Sequence, residues 1–260
     1  MDPRETDVFF HEIFDPSLPR LGPGDEVSTL RALRTLYPAE SGQRRGDRPS
    51  PLRVLDIGCG NGAQTLVLAD NLDGEILAVD IHQPYLDELD RRARAAGVAE
   101  KIRIRRMDMR DLANDQGPYD LIWSEGALFV MGFREGLKVC HRLLGPGGSL
   151  AVSELCWLTP DPPAECREFF ATGYPAIAQV GESLSFIRGL GFEVVGHFTL
   201  PETSWSERYF RPIEARLRAF RERCAGDAKR LGIVETVQSE IDIYRRHPGV
   251  FGYGFFMARK

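Results

Sequence analysis

Five carboxylates sit at or just past the ends of five short apolar runs in the middle of the chain. Asp56 ends LRVLDI, Asp80 ends EILAVD, Asp108 follows KIRIRR, Glu125 follows YDLIWS, and Glu154 ends GSLAVSE. An apolar strand has no structural need for an acid at its end, so five in register read as one negatively charged rim. Such a rim suits a cationic ligand. The first run opens into Gly58-Cys59-Gly60-Asn61-Gly62, directly before a helical stretch. Glycines there let a ligand approach the backbone and a helix N-terminus closely. The spacing satisfies G-x-G-x-G and, with Ala63, the dinucleotide pattern G-x-G-x-x-A. The glycines alone therefore leave a nicotinamide dinucleotide and a phosphate-free nucleoside both open. Asp56, two residues before Gly58, weighs against the first, because a carboxylate a few ångströms from a pyrophosphate is repulsive by about 1 kcal/mol or more. An ammonium or a sulfonium would be attracted.

Two further acids sharpen that chemistry. Asp80 follows the glycines at about the distance where an acid grips ribose hydroxyls, and its oxygens can accept from both. Asp108, in RRMDMRDL, is placed to accept from an exocyclic amine such as that of adenine, with Met107 and Met109 offering apolar contact to a ring. Ribose, adenine and a cationic tail add up to S-adenosylmethionine.

The elements that must position these residues follow from the alternation of short apolar runs with helical stretches. The pattern predicts strands near 52–57, 75–80, 101–106, 119–124, 148–154, 192–199 and 250–258, and helices near 62–71, 83–96 and 132–143. That is an α/β, Rossmann-like, doubly wound and mostly parallel sheet, whose ligands bind beyond the carboxyl ends of the strands. Residues 1–50 read as an N-terminal helical cap and linker. The cap holds the apolar cluster Val8, Phe9, Phe10, Ile13 and Phe14, then a helix with Val27, Leu30, Leu33, Leu36 and Tyr37 turned inward; the polar stretch 39–51 is the linker. Residues 51–260 form the main domain, with a helical insertion at 203–247. Ser204 and Glu207 fit an S-x-x-E capping box, ahead of Phe210, Ile213, Leu217, Phe220 and Cys224 at helical spacing. Leu231, Val234, Val237, Ile241 and Tyr244 follow on a second helix. The pair is expected to form a hairpin over the site.

Bulk properties exclude several classes. The chain has 260 residues, 43% hydrophobic and 27% charged, with 33 Lys+Arg against 38 Asp+Glu for a net charge of −5. That balance is unsuited to tracking a nucleic-acid backbone. The five cysteines are scattered and form no C-x-x-C, which argues for a reducing compartment and against a zinc site. His82, His141, His197 and His247 form no spaced cluster, so no metal is assigned. The start MDPRETDVFF has no signal-peptide pattern and no apolar run is long enough to span a bilayer, so a cytoplasmic protein without a membrane partner is expected. Oligomeric state is left open, a homodimer included.

Taken together, VLDIGCGNG, AVD ending at Asp80, MDM around Asp108 and LLGPGGSLAVSE resemble, in order and spacing, the motifs of class I S-adenosylmethionine-dependent methyltransferases. More loosely, the chain is similar to the small-molecule ubiquinone/menaquinone-type group. The resemblance implies a seven-stranded sheet with an antiparallel last strand, and S-adenosylhomocysteine as the spent cofactor. It implies that Gly58, Gly60 and Asn61 pack on the methionine moiety, that Asp80 holds the ribose, and that Asp108 with Met109 meets the adenine. Asp56, Gly62, Ile81 and Ser124 complete the candidate cofactor set. Glu125, where cofactor would meet acceptor, is a candidate for orienting or deprotonating the acceptor, or for holding the methionine ammonium. His11 is the second catalytic candidate. Glu12, Glu154, Trp157, Tyr174, Trp205 and Tyr209 are candidates for the acceptor pocket. The Asn/Asp-Pro-Pro-Tyr/Phe sequence of amino-methylating DNA enzymes is absent, since SEGA follows the fourth strand. Alternatives are a methyltransferase acting on RNA or protein, an NAD-binding dehydrogenase, and a protein that binds the cofactor without turnover.

Overall fold

The computed structural model describes residues 3–38, 51–115 and 117–260; nearly all of the stretch read as a linker lies outside them. Strands β1 (Leu52–Ile57), β2 (Gly74–Asp80), β3 (Ile102–Arg106), β4 (Tyr119–Glu125) and β5 (Leu144–Trp157) run parallel, in the order β3-β2-β1-β4-β5. The sheet continues through β8 (Phe251–Arg259) to β7 (Glu193–Thr199), with β8 antiparallel to both its neighbours. A two-residue strand, β6 (Ala178–Gln179), also pairs with β5. Strand order reverses between β1 and β4, which opens a crevice above their carboxyl ends. Both the glycine turn and Glu125 are delivered to that crevice.

Burial on both faces explains the near-continuous apolar runs. Because side chains alternate along a strand, Val54, Ile76 and Trp123 pack beneath helices α2 (Glu26–Leu36), α3 (Ala63–Asn71) and α4 (Gln83–Ala96). Leu55, Ile122 and Leu150 pack on the other face, against α5 (Phe133–Leu143) and α7 (Val180–Gly189). A third core joins the N-terminal helix α1 (Pro3–Ile13) to α6 (Ala164–Gly173) and to the hairpin of α9 (Arg211–Arg223) and α10 (Ala228–Arg246). Phe9 meets Phe220 edge-on there at 5.4 Å. Leu155 and Phe251 tie this unit to the sheet.

Two local expectations are corrected. Helix α2 does not turn Val27 inward, since that residue is 76% exposed; Ser28 and Thr29 are buried instead, beside Ala32, Leu33 and Leu36. The inward face of α2 is part polar because Thr29 has an acceptor to reach on the sheet. Ser204 is not a helix cap. Pro201 precedes α8 (Glu202–Trp205), which runs through a π-turn at Ser206–Phe210 into α9, so Ser204 lies inside the helix. Its hydroxyl donates to Asp25, the N-cap of α2. The capping box occurs at Gln179 and Glu182 of α7. Among the described residues no helix is long and apolar enough to cross a membrane.

Candidate active site

The turn between β1 and α3 holds Gly58, Gly60 and Gly62 at φ +67°, +53° and +84°, a region closed to most side chains. A Cβ on Gly58 would fall 2.3 Å from Ala127 Cβ, so turn and β4 loop touch as backbone. The turn's amides are engaged within the protein. Gly58 N and Cys59 N donate to Val79 O at 2.9 and 3.0 Å, and Gly62 N donates to Cys59 O at 3.0 Å. Gly60 N donates to Asp80 Oδ2 at 2.9 Å, and His82 N to Asp80 Oδ1 at the same distance. Asp80 is thereby fixed by two backbone donors. Four amides that a pyrophosphate nest would need are already committed.

Above the turn lies a cavity of about 280 Å³ whose wall includes Gly58, Gly60, Asp80, Ile81, Asp108 and Met109. Asp108 caps the turn at Met109–Asn114, accepting from Arg110 N at 2.9 Å, and pairs with the Arg110 guanidinium. That hydrogen bond holds its carboxyl below the ordinary range. The roof is the segment after α1, with Leu21, Gly22 and Pro23 on the cavity. It is clamped by Asn61, whose Nδ2 donates to Pro16 O (3.0 Å) and Leu18 O (2.7 Å). Arg92 donates to Leu18 O at 2.8 Å. Asn61 touches the wall, yet its amide serves the roof.

Glu125 also lines this cavity, and its carboxylate accepts from three side chains: Arg20, Thr29 Oγ1 at 2.7 Å and Trp123 Nε1 at 2.9 Å. Side-chain exposure is 4% for Glu125 and 10% for Arg20. With three donors in place it ties the sheet to α2 and the roof. Arg20 carried no signal in the sequence, being one basic residue in a Pro- and Gly-rich loop.

Three further candidates lie off the wall. Asp56 is fully buried and points, like Val54, to the α3 side, where it accepts from Thr65 Oγ1 at 2.6 Å and from Gln64. Desolvation pushes its carboxyl up to about 7. The electrostatic case against a pyrophosphate therefore does not rest on Asp56; the engaged turn amides carry it instead. Gly62 faces α4, its notional Cβ 2.2 Å from Leu89 Cδ1. Ser124 is buried and donates to Ile57 O at 2.9 Å, joining β4 to β1.

A second cavity, about 500 Å³, shares His11, Leu21, Tyr85, Gly126 and Phe129 with the first, so the two adjoin. Its walls come from α1, the sheet's upper rim, α6 and the hairpin. His11 stands at the junction, stacked on His82 with ring centroids 3.8 Å apart. Tyr85 donates its one hydroxyl proton to Phe14 O at 2.7 Å, so the 2.9 Å contact with His11 Nδ1 must use an Nδ1–H donor.

Of the acceptor-pocket candidates, Glu154, Tyr174 and Tyr209 line this second cavity. Glu12, Trp157 and Trp205 do not. Glu12 pairs with Arg223 on the outer surface. Trp157 packs edge-on against Phe170 at 5.4 Å, and Trp205 is 1% exposed, stacked on Tyr244 at 4.7 Å. Trp205 belongs to the third core, and Trp157, at the end of β5, packs against it. Glu240 was missed, although it lies between Val237 and Tyr244 on the apolar stripe of α10, and an acid at a stripe position was the available signal. Desolvation alone pushes Glu240 up to about 7, and burial does the same to Glu154.

Residues 54–148 match the methyltransferase-domain family. The chain is 27% identical over 233 residues to 27-O-demethylrifamycin SV methyltransferase of Amycolatopsis mediterranei, covering 84% of this chain and 78% of that one. Its fold is shared with a methyltransferase from Geobacter sulfurreducens solved with S-adenosylhomocysteine, at TM-score 0.73 and 21% identity over 98% of this chain and 97% of that one. The [4+2]-cyclase SpnF has the same fold at TM-score 0.64, with 21% identity over 81% of this chain and 75% of that one. The reversed strand order and the glycine turn beneath an acid-lined cavity agree with that match: residues 54–148 are a methyltransferase domain, in a chain with the fold of S-adenosylmethionine-dependent methyltransferases.

Proposed function

We propose that this protein transfers a methyl group from S-adenosylmethionine to a small, largely apolar acceptor held in the 500 Å³ cavity. The observation that carries the acceptor class is size and lining: a cavity of about 500 Å³ with largely apolar walls from α1, the strand rim, α6 and the hairpin matches a small-molecule pocket. S-adenosylmethionine, when bound, supplies a methyl group activated on a sulfonium.

The residues present fit that cofactor. Gly58 and Gly60 line the cavity at positive φ without a side chain to fill it. Asp80, held rigid by Gly60 N and His82 N, is assigned to the ribose hydroxyls. Asp108, Met109 and Ile81 are assigned to the adenine, with Asp108 accepting from its amine. Glu125 and Arg20 fasten the roof, and so exclude water from the junction where the methyl would move. His11, on the wall of both cavities, is assigned to orienting the acceptor or taking its proton. Helix α1 and the segment after it act as the cap of the site.

Titration calorimetry with S-adenosylhomocysteine tests the cofactor half. Asp80→Ala removes hydrogen bonds to a charged group and is expected to weaken binding by about 10- to 100-fold; unchanged affinity overturns the assignment. Methyl-labelled cofactor and a metabolite extract, read by mass spectrometry, test the acceptor half. Label appearing only on protein or RNA would contradict a small-molecule acceptor.

A further inference from the structure

The second cavity carries a charge pattern that its apolar walls do not explain. Glu154 is 2% exposed and lines the cavity. Its Oε1 accepts from Leu155 N at 3.0 Å, while its Oε2 has no partner in hydrogen-bond geometry. The Tyr174 phenol is near enough to influence that carboxyl without being aligned to donate to it. Glu240 lines the same cavity from the hairpin. No lysine or arginine is on its wall among the described residues, and the rest of the surface is mostly aromatic, from Phe10, Phe14, Phe169, Phe170, Tyr209 and Tyr253.

A buried carboxyl oxygen without a donor carries a desolvation cost that a bound group can relieve. Two carboxyls without a basic residue repel anionic ligands such as carboxylates and phosphates. Aromatic faces around them attract an ammonium more than a hydroxyl. We infer that the acceptor is an apolar molecule bearing an amine, whose ammonium form is recognised by Glu154 and Glu240. This rests on the proposed function only in taking the second cavity as the acceptor site.

The pH response follows from the surroundings. Glu154 faces Tyr174, Tyr253 and Cys156, and Glu240 faces Tyr209 and Tyr253. These phenols and the thiol are raised by burial and stay neutral near pH 7. Both carboxyls lose their protons near that pH when the cavity is empty. An ammonium binds their ionised forms, so its affinity rises between pH 6 and pH 8; a neutral alcohol gains nothing from the same change. His11 and Tyr85, the remaining titratable groups on the wall, are retained in both variants below.

The test compares phenethylamine, phenethyl alcohol and phenylacetate, which share one apolar body, by titration calorimetry on the full-length protein. Phenethylamine is expected to bind at least about tenfold more tightly than the alcohol at pH 8, with the gap narrowing at pH 6, and phenylacetate to bind worst. Glu154→Gln and Glu240→Gln should each cut the amine's advantage by about tenfold while leaving S-adenosylhomocysteine affinity unchanged. Equal affinity for amine and alcohol, or an amine preference that survives both variants, overturns the inference. Cofactor affinity is measured separately, so its loss counts against the proposed function, while the amine comparison, run without cofactor, still decides the recognition.

Discussion

Glu240→Gln should stabilise the protein, and only above about pH 5. In the folded chain desolvation raises this carboxyl from an ordinary 4.5 to about 7, with no cation offsetting it. A carboxyl whose folded value lies above its unfolded one binds more protons in the native state between the two. Its contribution is therefore fully present below pH 4.5 and is lost as pH rises toward 7. At 1.36 kcal/mol per pH unit, the rise from 4.5 to about 7 sets an upper bound of about 3 kcal/mol lost by pH 8 for this half-buried side chain. Glutamine keeps the shape and removes the titration. Thermal unfolding followed by calorimetry at pH 5 and pH 8 reads the difference. A protein of this size moves its Tm by roughly 2–4 °C per kcal/mol, so the variant should melt at most about 6–12 °C above the parent at pH 8 and close to it at pH 5. A gap equal at both pH values would refute the reasoning, because it would mean that the carboxylate is hydrated in its cavity and pays no burial penalty.

Arg20→Ala leaves the Glu125 carboxylate nearly buried and without its cation, a change that costs about 3 kcal/mol or more when a partner of a buried pair is removed. Urea unfolding measures it, and a loss below about 1 kcal/mol would show that Thr29 and Trp123 suffice. His11→Ala should lower kcat for the labelled acceptor by about 100-fold or more, as expected for a group handling the acceptor's proton, while calorimetric affinity for S-adenosylhomocysteine changes little. A parallel loss in both would make His11 a part of the roof.

The fold was legible because strand–helix alternation and two-sided burial leave their pattern directly in the apolar residues. The predicted strands and helices of 52–143 fall within about two residues of those observed. The wall of the first cavity was legible where the backbone itself imposes the residue: Gly58 and Gly60 at positive φ, Asp80 beside their amides. The reading failed where it treated strand ends as a rim and ignored strand faces. Asp56 and Val54 are two residues apart, so both turn to α3, and that alternation already placed Asp56 beneath the helix with Thr65. The same period puts Trp123 and Glu125 on one face, which is why the indole donates to the carboxylate. What no periodicity encodes is the partner across the chain. Arg20 reaches Glu125 over 105 residues and Ser204 reaches Asp25 over 179. These contacts decide that Glu125 is a tether, and they exist only once the third core has brought cap, hairpin and sheet together. Of the other acids, Asp80 and Asp108 line the first cavity with carboxylates already held by backbone amides and by Arg110, whereas Glu154 keeps an oxygen without a donor in the second. What separates them from Asp56, turned beneath α3, and from Glu125, held by three side chains, is the strand face each acid takes and the partners that the rest of the chain brings to it.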